Sequence, residues 1–292
     1  MECNHNNERL SEILAELDST LEWEYRHFKN RSVIIPSRKE IIRIIKNLQQ
    51  LMFPTYFSLD ENSGLSREEI IAKTFLALKV QITASFAFSA TESSVDTETL
   101  AYEILSELPD VKRRLIKDIQ ALYEGDPAAR SAEEVILSYP GFYAISIYRI
   151  AHLFYVRQIP YIARVMTEFA HEKTGIDIHA GATVGEYFFI DHGTGIVIGE
   201  TTTIGDHVKI YQGVTLGAKS FELDDDGKPV KGIKRHPDIG DGCVIYANAT
   251  ILGGNTRIGK GSVIGGNVWL THSVPDGSIV YYNNDKGRKN DG

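Results

Sequence analysis

The amino-acid sequence predicts an α+β chain in which an N-terminal α-helical domain precedes a parallel β-helix of hexapeptide repeats. In the C-terminal part an aliphatic residue returns every six positions, often with a small residue after it, whereas the N-terminal part spaces its apolar residues as helices do. A six-residue period fits neither an α-helix nor simple strand alternation. It is typical of a triangular prism with one short strand per side, whose aliphatic side chains point to the axis. The repeat positions are Ile178, Val184, Ile190, Ile198, Ile204, Ile210, Leu216, Ile239, Ile245, Ile251, Ile258, Ile264 and Leu270.

The composition is that of an ordinary soluble globular protein, with 42% hydrophobic and 24% charged residues. The 292 residues suffice for one large or two ordinary domains. A formal charge of −8 argues against a nucleic-acid surface, which needs clustered Lys and Arg. The only cysteines, Cys3 and Cys243, lie far apart, which argues against a disulfide framework or a zinc knuckle. Residues 1–10 lack an apolar signal-peptide core, and the apolar stretch 74–90 is interrupted and short for a membrane span, so we expect a cytoplasmic protein.

Helical spacing predicts the elements of the first half in order. Residues 8–23 and 41–51 each place apolar side chains on one face. Ser37 followed by Glu40 has the spacing of a capping box at a helix start, and Ser66 begins a second copy of this signal. Further helices are predicted at residues 66–88, 100–108, 111–123, 141–157 and 162–173.

We place the domain boundaries where this spacing changes. Residues 1–174 form the α-helical domain, which we expect to drive oligomerisation and to contribute Asp126 to the site. Residues 175–280 form the β-helix, and residues 281–292 a flexible C-terminal tail. One coil of a prism cannot bury its own faces, so coils must stack, and the repeat is long enough for about four. The polar insertion 218–235 has no six-residue period and is expected to leave the prism as an extruded loop.

The first interruption of the repeat contains a candidate general base. The spacing stretches between Ile190 and Ile198, so the segment between them must bulge from an edge of the prism. His192 lies in this bulge beside Asp191, where an imidazole is accessible, titrates near neutral pH and can be oriented by a carboxylate. Asp177, nearly one coil earlier, could stack near the same edge and hold one ring nitrogen. A surface histidine without function is the alternative.

A second group of candidate residues closes the extruded loop just before the repeat resumes. Arg235 offers a planar, permanently charged fork suited to a carboxylate, with His236 beside it. Pro237 stiffens the return to the coil. A solvated loop base with chance charges is the alternative here. The aspartates at 224–226 resemble a metal-binding run, but a solvated loop tip explains them better.

Asp126, Gly217 and Ala247 are candidates whose pattern alone leaves both a structural and a functional interpretation open. Asp126 lies in a Gly-Asp-Pro turn, where Asp is common for local hydrogen bonding. Gly217 and Ala247 lie at coil corners, where the repeat itself needs small residues but where a flat chain could also lie along the prism.

Together these motifs resemble serine O-acetyltransferase, a β-helical acyltransferase family of cysteine biosynthesis. The similarity lies in residues 174–180, 190–201 and 235–237, and it extends to residues 125–128 and 139–152 of the helical half. The resemblance implies that the prism is a left-handed β-helix. It also implies a reaction in which the acetyl group of acetyl-CoA passes to the hydroxyl of L-serine, giving O-acetyl-L-serine and CoA.

The resemblance implies catalytic roles at the first interruption. His192 would be the general base, with Asp177 as its orienting partner. Asp126 and Asp191 would hold the ammonium and hydroxyl end of L-serine. The attack would be direct, so that neither an acyl-enzyme nor a metal ion is required.

The same resemblance implies binding roles at the insertion and at the coil corners. Arg235, with His236 beside it, would bind the carboxylate of L-serine. Gly217, Ala218 and Ala247 would receive the pantetheine arm of acetyl-CoA.

The resemblance also implies partners. We expect a homotrimer or hexamer with active sites between neighbouring prisms, and inhibition by L-cysteine, which differs from L-serine only by sulfur for oxygen. Family members insert a terminal Ile into O-acetylserine sulfhydrylase; this sequence ends at Gly292 without one, so no tail-mediated complex is expected. Neither a nucleic-acid nor a membrane partner is expected.

Three other functions remain open from the sequence. A hexapeptide acetyltransferase acting on a sugar or another small hydroxyl acceptor explains the repeats but not the helical half. A metal-dependent β-helical lyase would need three converging histidines on one zinc ion. A non-catalytic assembly scaffold would leave the candidate base and carboxylate fork without a role. The histidines available to a zinc site are His179, His192, His207 and His236.

Overall fold

The aliphatic positions of the six-residue repeat are buried and pair with one another in register. In the third side of the prism, for example, Ile190, Ile210, Ile245 and Ile264 form one column, and none is more than 1% exposed. The computed structural model describes residues 2–19, 34–89, 91, 96–220 and 223–282. The prediction of a helical region followed by a parallel β-helix is confirmed, and the axis of the prism is its core.

The first half of the described chain is helical. Its helices are α1 (Glu2–Ser19), α2 (Arg38–Met52), α3 (Arg67–Ser89), α4 (Thr97–Ser106), α5 (Leu108–Gly125), α6 (Ala132–Ser138), α7 (Pro140–Val156) and α8 (Ile162–Thr174). A short 3-10 turn lies at Asp60–Asn62. The first predicted helix, residues 8–23, coincides with α1 as far as Ser19. Its last four residues, 20–23, lie outside the described residues.

The second half consists of short strands. They are β1 (Asp177–Ile178), β2 (Thr183–Val184), β3 (Phe189–Asp191), β4 (Val197–Ile198), β5 (Thr203–Ile204), β6 (Lys209–Tyr211), β7 (Thr215–Gly217), β8 (Asp238–Ile239), β9 (Val244–Ile245), β10 (Thr250–Leu252), β11 (Arg257–Ile258), β12 (Val263–Ile264), β13 (Trp269–Leu270) and β14 (Ile279–Val280).

These strands form three parallel sheets, one for each side of the prism. Sheet A contains β1, β4, β7, β10 and β13; sheet B contains β2, β5, β8 and β11; sheet C contains β3, β6, β9, β12 and β14. The array therefore makes nearly five coils. The prediction of about four was too low because the chain keeps coiling through β14, beyond the last repeat position.

The chain turns from one sheet to the next at three edges, two of which matter for the site. The CA edge, between sheets C and A, comprises residues 192–196, 212–214, 246–249 and 265–268. The AB edge, between sheets A and B, comprises residues 179–182, 199–202, 218–220, 223–237, 253–256 and 271–273. Sheet A lies between these two edges.

The helix starts follow the predicted capping signals in different ways. The Ser66 hydroxyl accepts the Glu69 N–H at 3.1 Å while the Glu69 carboxylate accepts the Ser66 N–H at 2.7 Å, which is a complete capping box. The Ser37 hydroxyl accepts the Glu40 N–H at 3.3 Å, but the Ser37 N–H donates to Gln81 at 2.7 Å instead of to Glu40. The predicted hydrogen bond from the Ser37 N–H to the Glu40 carboxylate is therefore wrong, because Gln81 of α3 accepts this N–H instead.

Helix α3 is longer than its apolar stretch suggested. Since it begins at Arg67, its 23 residues and mean hydropathy of 1.4 over the most apolar 18 would by length and composition alone let it cross a membrane. It packs instead against α2, α4 and α8 and buries residues such as Leu78 and Ile82. Of its most apolar 18 residues, 39% are buried.

Helix α7 joins the two halves through a buried ion pair. Arg149 donates to both carboxylate oxygens of Asp118 on α5, at 2.6 and 2.8 Å, and to the Gly185 carbonyl of the first coil at 2.7 Å. Both side chains are almost fully buried. Neighbouring side chains extend this attachment, since the Tyr148 hydroxyl donates to the Ala182 carbonyl at 2.5 Å. The helical half is thereby fixed to the first coil of the prism.

Candidate active site

His192 stands on the CA edge as the first residue after β3. Its backbone adopts the left-handed conformation, with φ of 55°, and its side chain is 74% exposed. Its Nε2 lies 3.7 Å from a carboxylate oxygen of Asp191. Gly193 must follow, because its φ is 89° and a Cβ there would come within 2.4 Å of Ile176. The bulge predicted from the stretched spacing therefore presents an accessible imidazole beside a carboxylate.

Asp126 reaches this edge from the turn that ends α5. One carboxylate oxygen accepts the hydroxyl of Tyr139 at 2.6 Å, and the other accepts the Ala128 N–H at 2.8 Å. These two bonds, with His192 nearby, outweigh burial and hold the pKa of the Asp126 carboxyl below its ordinary value. Burial and then the bond to Asp126 raise the pKa of Tyr139 to about 12. Asp126 is therefore a stable anion and Tyr139 a stable donor.

A second tyrosine lies next to the carboxylates. Tyr211 pairs with Asp191 in register, one coil further along sheet C, and stacks on Tyr246 with 5.1 Å between ring centroids. Burial, and then the charges of Asp191, Tyr246 and Asp126, raise the pKa of Tyr211. The His192 cluster therefore consists of Asp126, Tyr139, Asp191, His192 and Tyr211.

The two tyrosines of the His192 cluster were not predicted. Tyr211 had a sequence signal, since it occupies the same register position as Asp191 in the next coil. Tyr139 lies in the segment 139–152 that resembles the family, but its place beside Asp126 depends on how α6 folds back between α5 and α7.

Asp177 follows residues that stack on the CA edge, since the Gly195 N–H donates to the Gly175 carbonyl at 2.8 Å. It begins β1 in sheet A, where it pairs with Val197. Its negative charge acts on His179 of the AB edge. In the part of the chain that the structure describes, its carboxylate forms no hydrogen bond with His192.

Arg235 lies on the AB edge, where Glu200 orients it. The guanidinium donates to one oxygen of the Glu200 carboxylate at 2.5 Å, and the hydroxyl of Tyr155 on α7 donates to the other at 2.8 Å. Although burial acts to raise the pKa of Glu200, these bonds lower it below its ordinary value. The arginine fork is therefore held from one side, which leaves its remaining N–H groups for a ligand.

His236 is buried beside Arg235 and fixed by Thr201. Its Nδ1 accepts the Thr201 N–H at 3.1 Å and lies 2.9 Å from the Thr201 hydroxyl. That hydroxyl oxygen also accepts the backbone N–H groups of Arg235 and His236. Burial, and then the charge of Arg235, lower the pKa of His236 to about 4. The ring is therefore neutral at pH 7 and carries its proton on Nε2.

The Arg235 cluster, as we call it, consists of Tyr155, Glu200, Thr201, Arg235 and His236. The sequence indicated Arg235 and His236 but not the three residues that hold them. A cavity of about 560 Å³ opens beside the cluster and is lined in part by Tyr155, His179 and Glu200. His192 does not line it.

The predicted pantetheine residues are divided between the same two edges. Gly217 ends β7 and leads into Ala218 of the AB edge, and the Gly217 carbonyl accepts the Gly253 N–H at 3.0 Å. Ala247 lies on the CA edge, where its carbonyl accepts the Asn267 N–H at 3.0 Å. A side chain at Gly217 would come within 2.9 Å of Leu252, so this corner stays flat.

The length of helix α7 gives the distance between the two clusters. Tyr139 caps its first turn beside Asp126, whereas Tyr155 near its last turn contacts Glu200. Sixteen residues of helix at 1.5 Å per residue place these two ends about 24 Å apart. The base and the carboxylate fork of one chain therefore cannot bind the same small amino acid.

The aspartates of the extruded loop form a turn. The Asp224 carboxylate accepts the N–H groups of Asp226 and Lys228 at 3.0 and 2.8 Å. Leu223 and Pro229 form an antiparallel bridge behind them. This arrangement supports the interpretation of a loop tip.

The histidines proposed for a zinc site are spread over different edges. His192 is on the CA edge, His207 stacks on Tyr187 at the third edge, and His179 and His236 are on the AB edge. Among the residues that the structure describes, no group of three His, Cys, Asp or Glu could hold a metal ion. The placement of these histidines therefore contradicts a zinc site built from three of them within one chain.

Comparison with known proteins gives a consistent result for both halves. Residues 65–146 match the family described as "Serine acetyltransferase, N-terminal". A plasmid-encoded serine acetyltransferase of Synechococcus elongatus is 45% identical over 262 residues, which cover 84% of this chain and 81% of that relative.

Solved structures share the fold along most of the chain. Serine acetyltransferase 1 of Entamoeba histolytica in complex with L-cysteine has a TM-score of 0.70 at 38% identity, covering 82% of this chain and 86% of its own. The Neisseria gonorrhoeae enzyme in complex with serine has a TM-score of 0.56 at 26% identity, covering 82% and 95%.

Proposed function

The chain belongs to the serine acetyltransferase family, and we propose that it transfers the acetyl group of acetyl-CoA to L-serine in a site formed by the CA edge of one copy and the AB edge of the next. The reaction gives O-acetyl-L-serine and CoA, the first step of cysteine biosynthesis. This membership favours L-serine over the sugar acceptor that the repeats alone left open. The observation that carries the residue assignment is the convergence of Asp126, Asp191 and the exposed His192 at one edge.

The His192 cluster supplies the base and a place for a cation. Two carboxylates, Asp126 and Asp191, lie close enough to act on the same tyrosine, and their negative field favours the ammonium group of an amino acid. His192 takes the proton from the serine hydroxyl as the oxygen adds to the thioester carbonyl. Collapse of the adduct breaks the carbon–sulfur bond, and the proton held by His192 leaves with the CoA thiol.

The Arg235 cluster supplies the carboxylate site. Arg235 keeps N–H groups beyond the one that Glu200 binds, and neutral His236 has an Nε2–H beside it. A guanidinium binds a carboxylate well through two parallel hydrogen bonds. We assign the α-carboxylate of L-serine to this pair.

The separation of the clusters requires a neighbouring copy. A contact between the CA edge of one copy and the AB edge of the next is heterologous, and such contacts form a closed ring when the rotation between copies closes. In the ring that we propose, sheet A, which lies between the two edges, faces the symmetry axis. The outer face of sheet A carries Val197 and Trp269, which are 38% and 68% exposed in the single chain. We therefore propose a homotrimer, which the helical half can pair into a hexamer.

The family uses acetyl-CoA, and the proposed ring also brings its predicted contacts together. Ala247 on one copy faces Gly217 and Ala218 on the next, so the pantetheine arm can lie between two prisms. Burial raises the pKa of the Cys243 thiol, whose S–H donates to the Gly259 carbonyl. A buried, protonated thiol supports direct transfer without an acyl-cysteine, and no metal ion is assigned a role.

L-Cysteine fits the proposed amino-acid site as an inhibitor. Its ammonium and carboxylate groups match the two clusters as those of L-serine do, and the relative from Entamoeba histolytica has been solved with L-cysteine. We further propose a cytoplasmic location without a nucleic-acid or membrane partner. Residues 283–292 of the C-terminal tail, and with them any contact to a sulfhydrylase, lie outside the described residues.

The assignment is tested by replacing His192 with Ala and measuring serine-dependent CoA release. Loss of a general base typically lowers the rate by about 10²–10⁴-fold. His171→Ala, at an exposed histidine of α8, is the control and should retain the parent rate. A His192→Ala enzyme within about tenfold of the parent would rule out the general-base role.

A further inference from the structure

We propose that Tyr139 is a positioning residue that aims the Asp126 carboxylate at the substrate ammonium group. This inference rests on the proposed function, since it assigns the ammonium to the His192 cluster. Its starting point is the 2.6 Å hydrogen bond from the Tyr139 hydroxyl to Asp126.

Asp126 needs such a partner because it lies on a turn. It is the residue that follows α5, and the chain continues through Pro127 and Ala128 without regular structure. The bond from the Ala128 N–H is local and moves with the turn itself. It can fix the carboxylate relative to the turn but not relative to His192.

Tyr139 connects this turn to a rigid part of the molecule. It is the N-cap residue of α7, whose Arg149 is held by the buried ion pair with Asp118 and by the first coil. Its hydroxyl therefore has a fixed position relative to the prism. A hydrogen bond from it transmits that position to Asp126.

The bond also leaves the carboxylate able to bind a ligand. Each carboxylate oxygen can accept about two hydrogen bonds. Tyr139 occupies one position on one oxygen and Ala128 one position on the other. The positions that remain can accept N–H groups from an ammonium.

The protonation states keep this arrangement constant. The pKa of Tyr139 is raised to about 12 and that of Asp126 is lowered, so the hydroxyl remains the donor and the carboxylate the acceptor at neutral pH. The charge of Asp191 also acts on Tyr139. Tyr139 thus lies within the field of both carboxylates and donates its hydrogen bond to one of them.

Tyr139→Phe is the test, because it removes the hydroxyl and keeps the ring. We expect the KM for L-serine to rise roughly tenfold, as for loss of a hydrogen bond to a charged group. The kcat at saturating serine and the KM for acetyl-CoA should stay within about threefold, the pattern of lost uniform binding. The inhibition constant for L-cysteine should rise with the KM for L-serine.

Two further variants separate positioning from a general effect on the fold. Tyr143→Phe, one turn along α7 at a half-buried tyrosine, should leave the serine KM unchanged. In an Asp126→Asn background, Tyr139→Phe should add little, because the group that it orients has changed. If the two substitutions raised the KM for L-serine independently, so that their free-energy effects added in full, the inference would be overturned.

The remaining outcomes separate a failure of the proposed function from a failure of the positioning role. A parent enzyme without serine-dependent CoA release contradicts the proposed function itself. An active parent whose Tyr139→Phe variant keeps the serine KM contradicts only the positioning role. A Tyr139→Phe variant that loses acetyl-CoA affinity and thermal stability together shows a merely structural role.

Discussion

The Arg235 guanidinium donates a hydrogen bond to the Glu200 carboxylate at 2.5 Å, and this pair connects the proposed carboxylate site to the helical half. The second oxygen of Glu200 accepts the hydroxyl of Tyr155 on α7 at 2.8 Å. An arginine side chain is flexible when free, so its value as a carboxylate fork depends on what fixes it. In this protein a helix of the other domain does so.

Tyr155→Phe should therefore weaken serine binding without slowing the chemical step. Loss of the hydroxyl lets Glu200 move, and Arg235 loses its fixed orientation. We expect the serine KM to rise by about three- to tenfold with kcat unchanged, as measured by initial rates of CoA release. Tyr123→Phe, at an exposed tyrosine of α5, is the control. Equal serine KM values for both variants would contradict the prediction.

Arg149→Met should strongly destabilise the chain. The substitution leaves the Asp118 carboxylate buried without its partner, which typically costs about 3–5 kcal/mol of unfolding free energy. Urea denaturation followed by circular dichroism measures this change.

Arg113→Met is the matched control, because Arg113 forms an exposed ion pair with Asp110. Exposed pairs contribute about 0–1 kcal/mol, so this variant should stay close to the parent. Similar losses in the two variants would show that the ion pair of Arg149 is not what fixes α7 to the prism.

The depressed pKa of His236 predicts acid sensitivity. Its pKa falls from 6.5 to about 4 on folding, so between these pH values the unfolded chain binds more protons than the folded chain. Linkage then requires that the stabilisation be complete above pH 6.5 and be lost as pH falls toward 4, by at most about 1.4 kcal/mol per pH unit.

The measurement is the unfolding free energy of the parent and of His236→Asn at pH 7.5, 6 and 5. The parent should lose more stability than the variant over this range. His171→Asn, at an exposed histidine, should keep the slope of the parent. An unchanged slope in His236→Asn would show that the pKa of this histidine is not lowered on folding.

A charge on the outer face of sheet A should prevent assembly. Thr250→Arg places a guanidinium on the face that the proposed ring turns toward its axis, between Thr215 and Trp269 in the sheet. We expect the mass in solution to fall from an oligomer to a monomer. Thr203→Arg, at the corresponding position of sheet B, should leave the mass unchanged. Retention of the oligomer in Thr250→Arg would place the contact on another face.

The six-residue period predicted more of the fold than of the site. A strict period determines which residue of each strand points to the axis, so Ile178, Ile204 and Ile264 could be assigned to the core without a structure. The helix α6 was missed because only one cap and seven residues indicate it. The number of coils was underestimated because the six-residue repeat ends at Leu270, whereas the chain adds one more strand, β14, which contains Val280.

The candidate residues could be found from their interruptions of the repeat, but their grouping could not. Successive strands belong to different sheets, and the chain comes back to the same sheet only every third strand. Spacing along the chain therefore does not tell whether two coil corners fall on the same edge of the prism. Thus Arg235 lies across sheet A from His192, on the AB edge. Tyr139 and Glu200 needed the tertiary contacts of α7 to be recognised.

Mixing two inactive variants tests the shared site most directly. His192→Ala damages only the CA edge, and Arg235→Ala only the AB edge. In rings that form at random from an equal mixture, an intact CA edge meets an intact AB edge at about one contact in four. After joint unfolding and refolding, we therefore predict about one quarter of the parental serine-dependent CoA release. A mixture no more active than the separate variants would show that each chain contains its own complete site and would contradict the account.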